Sequence, residues 1–270
     1  MTLEELDVQA GGVRMRCDAM GTRDGPLVLL LHGFPDCRIS WRRQLPALAA
    51  AGFRAVAPDL RGYGGSDKPR GVDSYRMKHL VGDVASLIEA LGRDRADVVG
   101  HDWGGYVAWY VAMWRPERVR RLAQLNIPHP QRVLRRLWTP RQLRKSWYIF
   151  FFQLPFFPER FMTDEALRRL YRKIHTPDEI EIIVQSVRDR SPPIHYYRAA
   201  LRHPSLRWRA IEAPVLVLWG ERDRWLGKEL AEPDPRWVPN ARVERIAEAG
   251  HWVHAEAADR VNELLLAFLR

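Results

Sequence analysis

Cysteine is nearly absent from this chain. Two cysteines in 270 residues, Cys17 and Cys37, make no disulfide framework and lie at no metal-ligand spacing, so both read as buried thiols. No run of 18 or more apolar residues exists, which excludes a membrane-spanning helix. The opening residues, Met1-Thr2-Leu3-Glu4-Glu5-Leu6-Asp7, are acidic and lack the basic-then-apolar profile of a signal peptide, so a cytoplasmic protein is expected. Internal repeats and low-complexity tracts are missing. Acidic residues are in deficit: 33 Asp and Glu stand against 43 Lys and Arg, a formal charge of +10. Much of the excess is arginine, at Arg132, Arg135, Arg136, Arg141 and Arg144 and again at Arg168, Arg169 and Arg172. No helix-turn-helix, zinc-finger or RNA-binding signature accompanies it. The charge therefore reads as solvated helix faces, and no nucleic-acid partner is expected.

What the chain does have is a regular alternation. Residues 3–8 and 13–19 flank Gly11-Gly12 and read as a hairpin. Leu27-Val28-Leu29-Leu30-Leu31 is a continuous apolar run, the pattern of a strand buried on both faces of a parallel sheet. A helix is expected over 40–51, a strand over 54–58, and a turn-rich loop over 59–69. A helix over 78–91 stops at Gly92. Then come a strand over 96–99, a helix over 104–115 and a strand over 119–126. Strand followed by helix, repeated, predicts a parallel sheet covered on both faces. The pattern breaks at Pro128-His129-Pro130, and from there only helical periodicity, aromatics and prolines remain until a buried strand returns over 211–220. A last strand over 242–246 and a last helix over 255–269 follow. The expected organisation is an α/β core over 1–128, an inserted helical subdomain over 129–208, and the rest of the core over 209–270.

The chemistry centres on Gly100-His101-Asp102-Trp103-Gly104. It joins a strand to a helix with glycines at both ends, the layout of a G-x-S-x-G nucleophile elbow with aspartate at its centre. A carboxylate gains little by attacking an ester, because the anhydride formed is no easier to hydrolyse. It does attack an sp³ carbon bearing a leaving group, which gives an alkyl-enzyme ester. The elbow thus points to epoxides or alkyl halides. Asp223 follows one buried strand and His251 follows the last. In an open α/β sheet, ligands bind outside the C-terminal ends of the strands. Asp102, Asp223 and His251 therefore converge there, in the chain order nucleophile, acid, histidine. Taken singly, Asp223 could cap a turn and His251 could be an ordinary loop histidine; the joint placement argues for a catalytic set. His32-Gly33-Phe34-Pro35 ends another strand, and its glycine can turn the Phe34 N–H toward the elbow. With the Trp103 N–H it would form an oxyanion hole, each donor typically worth about 3 kcal/mol.

These segments resemble the epoxide hydrolases of the α/β-hydrolase superfamily. His32-Gly33-Phe34-Pro35 matches the family's H-G-x-P motif, Gly100-His101-Asp102-Trp103-Gly104-Gly105 matches its aspartate elbow, and residues 59–69 resemble its loop before the fourth helix region. The resemblance implies an α/β-hydrolase fold, with a mostly parallel central sheet, helices on both faces and an all-helical cap. It also implies two cap tyrosines that hold and protonate the epoxide oxygen. Ser146-Trp147-Tyr148 resembles the first tyrosine segment and His195-Tyr196-Tyr197-Arg198 the second, which assigns the role to Tyr148 and Tyr197, with Tyr196 the competing choice. The implied substrate is a small apolar epoxide, with water as co-substrate and neither metal nor organic cofactor. Phe34, Trp103, Phe151, Phe152 and Trp252 are the expected pocket residues, with Trp109, Trp138 and Trp147 as further candidates. The oligomeric state, monomer or homodimer, is left open. Two alternatives stand beside this reading. Haloalkane and haloacid dehalogenases use the same nucleophile, but Phe34 offers no side-chain donor for a halide, and Trp103 and Tyr106 stand where arginines would hold a carboxylate. A non-catalytic protein of the same fold would usually lack a triad member, and none is missing.

Overall fold

The computed structural model describes residues 2–136 and 139–270. The expectations for Trp138, and for the side chains of Arg136 and Arg141, lie outside the described residues. Eight strands form one sheet: β1 (Glu4–Ala10), β2 (Val13–Met20), β3 (Leu27–Leu31), β4 (Arg54–Pro58), β5 (Ala96–His101), β6 (Val119–Leu125), β7 (Val215–Gly220) and β8 (Ala241–Ile246). Their order across the sheet is β1-β2-β4-β3-β5-β6-β7-β8. The β1–β2 hairpin and the β2–β4 pair are antiparallel, and every pairing from β4 to β8 is parallel. This is the alternation that the sequence predicts.

The buried strands feed two cores by simple alternation, since successive side chains point to opposite faces. Leu29, Leu31, Val98, Leu122 and Val217 face the layer that holds α2 (Met77–Ala90) and α3 (Asp102–Trp114). Val28, Leu30, Val99, Ala123, Leu216 and Leu218 face α1 (Gln44–Ala50) and the C-terminal helices. Cys17 and Cys37 are buried and free. Between β6 and β7 the described chain is helical: α4 (Pro130–Arg136), α5 (Pro140–Lys145), α6 (Trp147–Phe151), α7 (Phe157–Phe161), α8 (Asp164–Tyr171), α9 (Pro177–Ser186) and α10 (Ser191–Arg202). The helices α11 (Val253–Glu256) and α12 (Ala258–Leu269) close the chain. Among the described residues, no helix is long and apolar enough to cross a membrane.

Away from the Asp102 turn, expected boundaries shift at a proline or at a residue of non-helical φ. The helix expected over 40–51 splits into a 3-10 turn at Arg38–Trp41 and α1, because Pro46 has no N–H to bond back and fits only in the first turn of a helix. The strand expected from Ile211 starts at Val215, after Pro214, which cannot donate to a ladder. The last helix breaks at Ala257, whose φ of −132° lies outside the helical range.

Register sets the functional end of the sheet. Leu31 pairs with Gly100, His101 with Leu125, Leu125 with Leu218, and Gly220 with Ile246. The residues just beyond those pairs therefore emerge side by side: Phe34, Asp102, Asn126, Asp223 and His251.

Candidate active site

Asp102 is the residue at which β5 becomes α3. It has φ of +48°, in the left-handed region that a side chain rarely adopts. Such strain persists only where the surroundings over-determine it. The neighbouring glycines let the turn close. A Cβ on Gly104 would lie 2.2 Å from the Leu31 carbonyl oxygen, and one on Gly100 would lie 2.5 Å from the Gly105 Cα. The helix begins at Asp102 itself, two residues before the expected start, because the strained residue already opens the first turn. The Trp103 N–H thus falls in that first turn, where backbone donors have no partner within the helix.

The Phe34 N–H donates to Asp102 Oδ1 at 2.8 Å. Asp102 Oδ2 lies 3.6 Å from His251 Nε2, and His251 Nδ1 lies 2.7 Å from Asp223 Oδ2. Asp223 is itself held from three sides. Its Oδ1 accepts from the Trp225 and Leu226 N–H groups at 2.7 and 2.9 Å, and its Oδ2 accepts from Asn126 Nδ2 at 2.8 Å. The three residues singled out from the sequence are thus in line, and all are buried or nearly so.

Burial alone would raise both carboxylates and lower the imidazole. Mutual charge reverses this. Burial of Asp102 is outweighed by the hydrogen bond and charge of His251, which hold the carboxyl below its ordinary range. Asp223 is held low in the same way, by His251 and by its backbone and Asn126 donors. His251 is pulled down by burial but pushed up further by the two carboxylates, to about 10. The resting site is therefore an imidazolium between two carboxylates.

Two residues of this assembly were not foreseen. Asn126 has φ of +44°, donates to Asp223, and accepts the Gly220 N–H through its Oδ1 at 2.8 Å. His101 Nε2 donates to the His251 carbonyl oxygen at 2.9 Å. Burial, aided by the His251 charge, lowers His101 to about 3 and keeps it neutral. A carbonyl only accepts, so the proton sits on Nε2.

Across from Asp102 lies a cavity of about 210 Å³, lined among others by Asp102, Trp103, Tyr106, Ile127, Tyr148, Tyr196 and Tyr197. Tyr148 comes from α6 and Tyr197 from α10, with ring centroids 5.8 Å apart. The Tyr197 ring stands edge-on to Trp103 at 4.9 Å. Burial, then the Asp102 charge, raises both phenols well above their ordinary range, so both keep their protons. The Tyr196 hydroxyl is already committed, donating to the Arg61 carbonyl at 2.7 Å.

The expected pocket needs correction. Of Phe34, Trp103, Phe151, Phe152 and Trp252, only Trp103 lines this cavity. Phe34 and Phe152 pack behind Tyr197, with centroids 5.1 and 4.9 Å away. Phe151 turns outward to Trp147 and Phe161, because positions four apart share a helix face and Tyr148 and Phe152 occupy the inner one. Trp252 packs on Tyr171 and His251. Trp109 is fully buried against His129, and Trp147 faces solvent. Five-residue helices are too short for periodicity to show which face is inner.

Fold and site define the class first. Residues 26–258 match the family described as alpha/beta hydrolase fold. The AB hydrolase superfamily protein YfhM of Bacillus subtilis is 37% identical over 97% of this chain and 96% of its own length. Epoxide hydrolase 4 of Mus musculus is 37% identical over 97% of this chain and 78% of its own. A crystal structure of a mutant Bacillus megaterium epoxide hydrolase, complexed with its diol product, superimposes with a TM-score of 0.90 at 33% identity, covering 98% of this chain and 99% of that one. The chain belongs to the epoxide hydrolases of the α/β-hydrolase fold family.

Proposed function

We propose that this protein hydrolyses an apolar epoxide to a vicinal diol through an alkyl ester on Asp102, with helices α4–α10 as its cap. The observation that carries the reading is the opposition of a carboxylate and two protonated phenols across one cavity. An epoxide oxygen leaves as an alkoxide, which needs a proton or a tight hydrogen bond, whereas a halide needs neither. Tyr148 and Tyr197 supply those donors without placing charge in an apolar pocket.

The steps follow from the geometry. Asp102 Oδ1 is held by the Phe34 N–H, so Oδ2, which faces His251 at 3.6 Å, is the oxygen that attacks carbon. The C–O bond of the ring breaks, and the oxygen takes its proton from a tyrosine. Esterification removes the negative charge beside His251, and its pKa falls from about 10. The histidine becomes a base only after the first step has made one necessary. Held by Asp223, neutral His251 takes a proton from water as the water attacks the ester carbonyl carbon. Oδ1 becomes the oxyanion, facing the Phe34 and Trp103 N–H groups. Before hydrolysis the imidazolium proton passes to the tyrosinate, and on collapse the second proton of the added water goes to the departing alkoxide, so the diol leaves with Asp102 again a carboxylate, His251 an imidazolium and the tyrosine a phenol.

A single turnover in ¹⁸O-water, with enzyme in excess, tests this. The diol should emerge unlabelled and the label should be found in the peptide containing Asp102. Label in the diol would mean that water attacks the ring directly. Halide release from 1-haloalkanes with no turnover of epoxides would move the reading to a dehalogenase.

A further inference from the structure

The helical segment turns one face to the cavity and a second, aromatic one to solvent. Phe156 is 83% exposed, Phe161 67%, Phe157 59% and Trp147 58%. Isolated exposed apolar residues are unremarkable, but a contiguous exposed patch marks an interaction site. These residues are contiguous. Phe157 and Phe161 lie four apart on α7 and share a face. The Phe161 ring contacts Phe151 at 5.8 Å, and Phe151 contacts Trp147 on α6 at 5.7 Å. Phe156 immediately precedes α7 with φ of +64°, a conformation that suits glycine or asparagine and not an aromatic residue. Neither solvation nor core packing repays that strain at a residue so exposed.

The charge around the patch is one-sided. From 144 to 173 there are seven lysines and arginines against three acids. All three acids are already paired: Glu159 with Arg198, Asp164 with Arg190, and Glu165 with Arg169. Among the described residues, Arg160, which sits on α7 between Phe157 and Phe161, has no carboxylate within ion-pair distance, and neither does Arg144, three residues before Trp147.

We propose that this outer face, around α6 and α7, docks on an anionic phospholipid bilayer. Exposed aromatics flanked by unpaired cations are what an interfacial surface requires: the rings enter the headgroup boundary and the cations meet anionic lipid. A second copy of the chain is a poorer occupant. A two-fold contact sets the same patch against itself, so Arg144 and Arg160 would meet like charges. Docking would bring lipid to α6, whose inner face carries Tyr148, and so bring the site close to the phase in which apolar molecules dissolve. The proposal is independent of the catalytic reading, because binding is measured without substrate.

The test is co-sedimentation of the full chain with vesicles of phosphatidylcholine alone and of phosphatidylcholine with phosphatidylglycerol. Two variants are compared with the parent: Phe156→Ser/Phe157→Ser/Phe161→Ser, and Arg144→Glu/Arg160→Glu. The parent should bind the anionic vesicles at least about tenfold more tightly than the neutral ones and lose that preference in high salt. Each variant should bind anionic vesicles at least about tenfold more weakly, while turnover of a water-soluble epoxide and the melting temperature stay at parent values. No binding by the parent, or equal binding by the serine variant, overturns the proposal. So does a parent dimer that the serine variant converts to monomer, which would make the patch a protein interface.

Discussion

Five side chains meet over the sheet, and they are held in two different ways. Those at the strand ends are fixed by hydrogen bonds: Asp102 by the Phe34 N–H, Asp223 by two backbone N–H groups and Asn126, and His251 by Asp223 and, through its own carbonyl, His101. The two tyrosines from the helical segment are fixed by ring packing, against each other, Phe34, Phe152 and Trp103. The difference suits the work proposed for each set. A nucleophile and a base must be oriented before substrate arrives. A hydroxyl that is to donate to substrate should not spend its hydrogen bond on the protein, as Tyr196 does on Arg61. Ring contacts orient the phenol and leave its proton available.

The largest effect expected is at the strand ends. His251→Ala should lower steady-state turnover by about 10⁴-fold while leaving ring opening competent. Intact-protein mass spectrometry should then show an adduct of one substrate mass. Full turnover, or no adduct where the parent binds substrate, would remove His251 from the hydrolytic half. The two halves should also part in pH. Asp102 is held below, and both tyrosines above, their ordinary ranges, so ring opening should be flat from about pH 6 to 9. Ester hydrolysis needs neutral imidazole and should rise with pH, with a midpoint below the resting value of about 10, because the ester has removed one of the two carboxylate charges. Rapid-quench measurement of each half separates them.

Next in size is the helical set. Tyr148→Phe and Tyr197→Phe should each slow ring opening about 10²-fold, and the pair about 10⁴-fold, with hydrolysis of a preformed ester nearly unchanged. The change removes one oxygen and keeps the ring packing, so it isolates the proton donor. A double variant within a few-fold of the parent would reduce both tyrosines to packing residues and erase the contrast between the two regions.

The same contrast governs what the sequence disclosed. Leu27–Leu31 and Val215–Gly220 are apolar without interruption because both faces are covered, and the glycines around Asp102 are forced by close approach to Leu31 and to the backbone of Gly105. Such constraints write themselves into residue type. The helical segment between β6 and β7 does so less. Its helices are mostly short, and an aromatic at Phe151 or Phe152 looks the same whether it faces cavity, core or solvent. Tyr148 and Tyr197 were reached through resemblance and not through periodicity. Asn126 was missed because an asparagine after a strand is an ordinary turn residue. One signal was available: asparagine is enriched among non-glycine residues at positive φ, and Asn126 stands at the end of the strand between those that deliver Asp102 and Asp223.

The smallest effect tests whether the hydrogen-bonded set is as tight as it looks. Asn126 donates to the Asp223 oxygen that also faces His251, and it clips Gly220 through the Gly220 N–H. Its hydrogen bond helps hold Asp223 ionised. A hydrogen bond to a charged group is typically worth about 1.5–3 kcal/mol, yet two backbone donors stay on Asp223 when Asn126 is removed. The cost in catalysis should therefore be modest, about tenfold in kcat with KM little changed, because substrate does not touch this residue. Backbone strain confounds a simple truncation: alanine at φ of +44° would be disfavoured whatever its side chain did. Asn126→Gly removes the amide and relieves the strain, and Asn126→Ala removes the amide and keeps it. If positioning of Asp223 is the role, both variants should lose the same activity, differ in melting temperature with glycine the more stable, and shift the acidic limb of ester hydrolysis, which His251 sets, to higher pH, because an Asp223 carboxylate relieved of one hydrogen bond holds the imidazolium more strongly. Parent-like kcat and an unmoved pH profile in Asn126→Gly would leave Asn126 a backbone clip, with Asp223 positioned by its own loop.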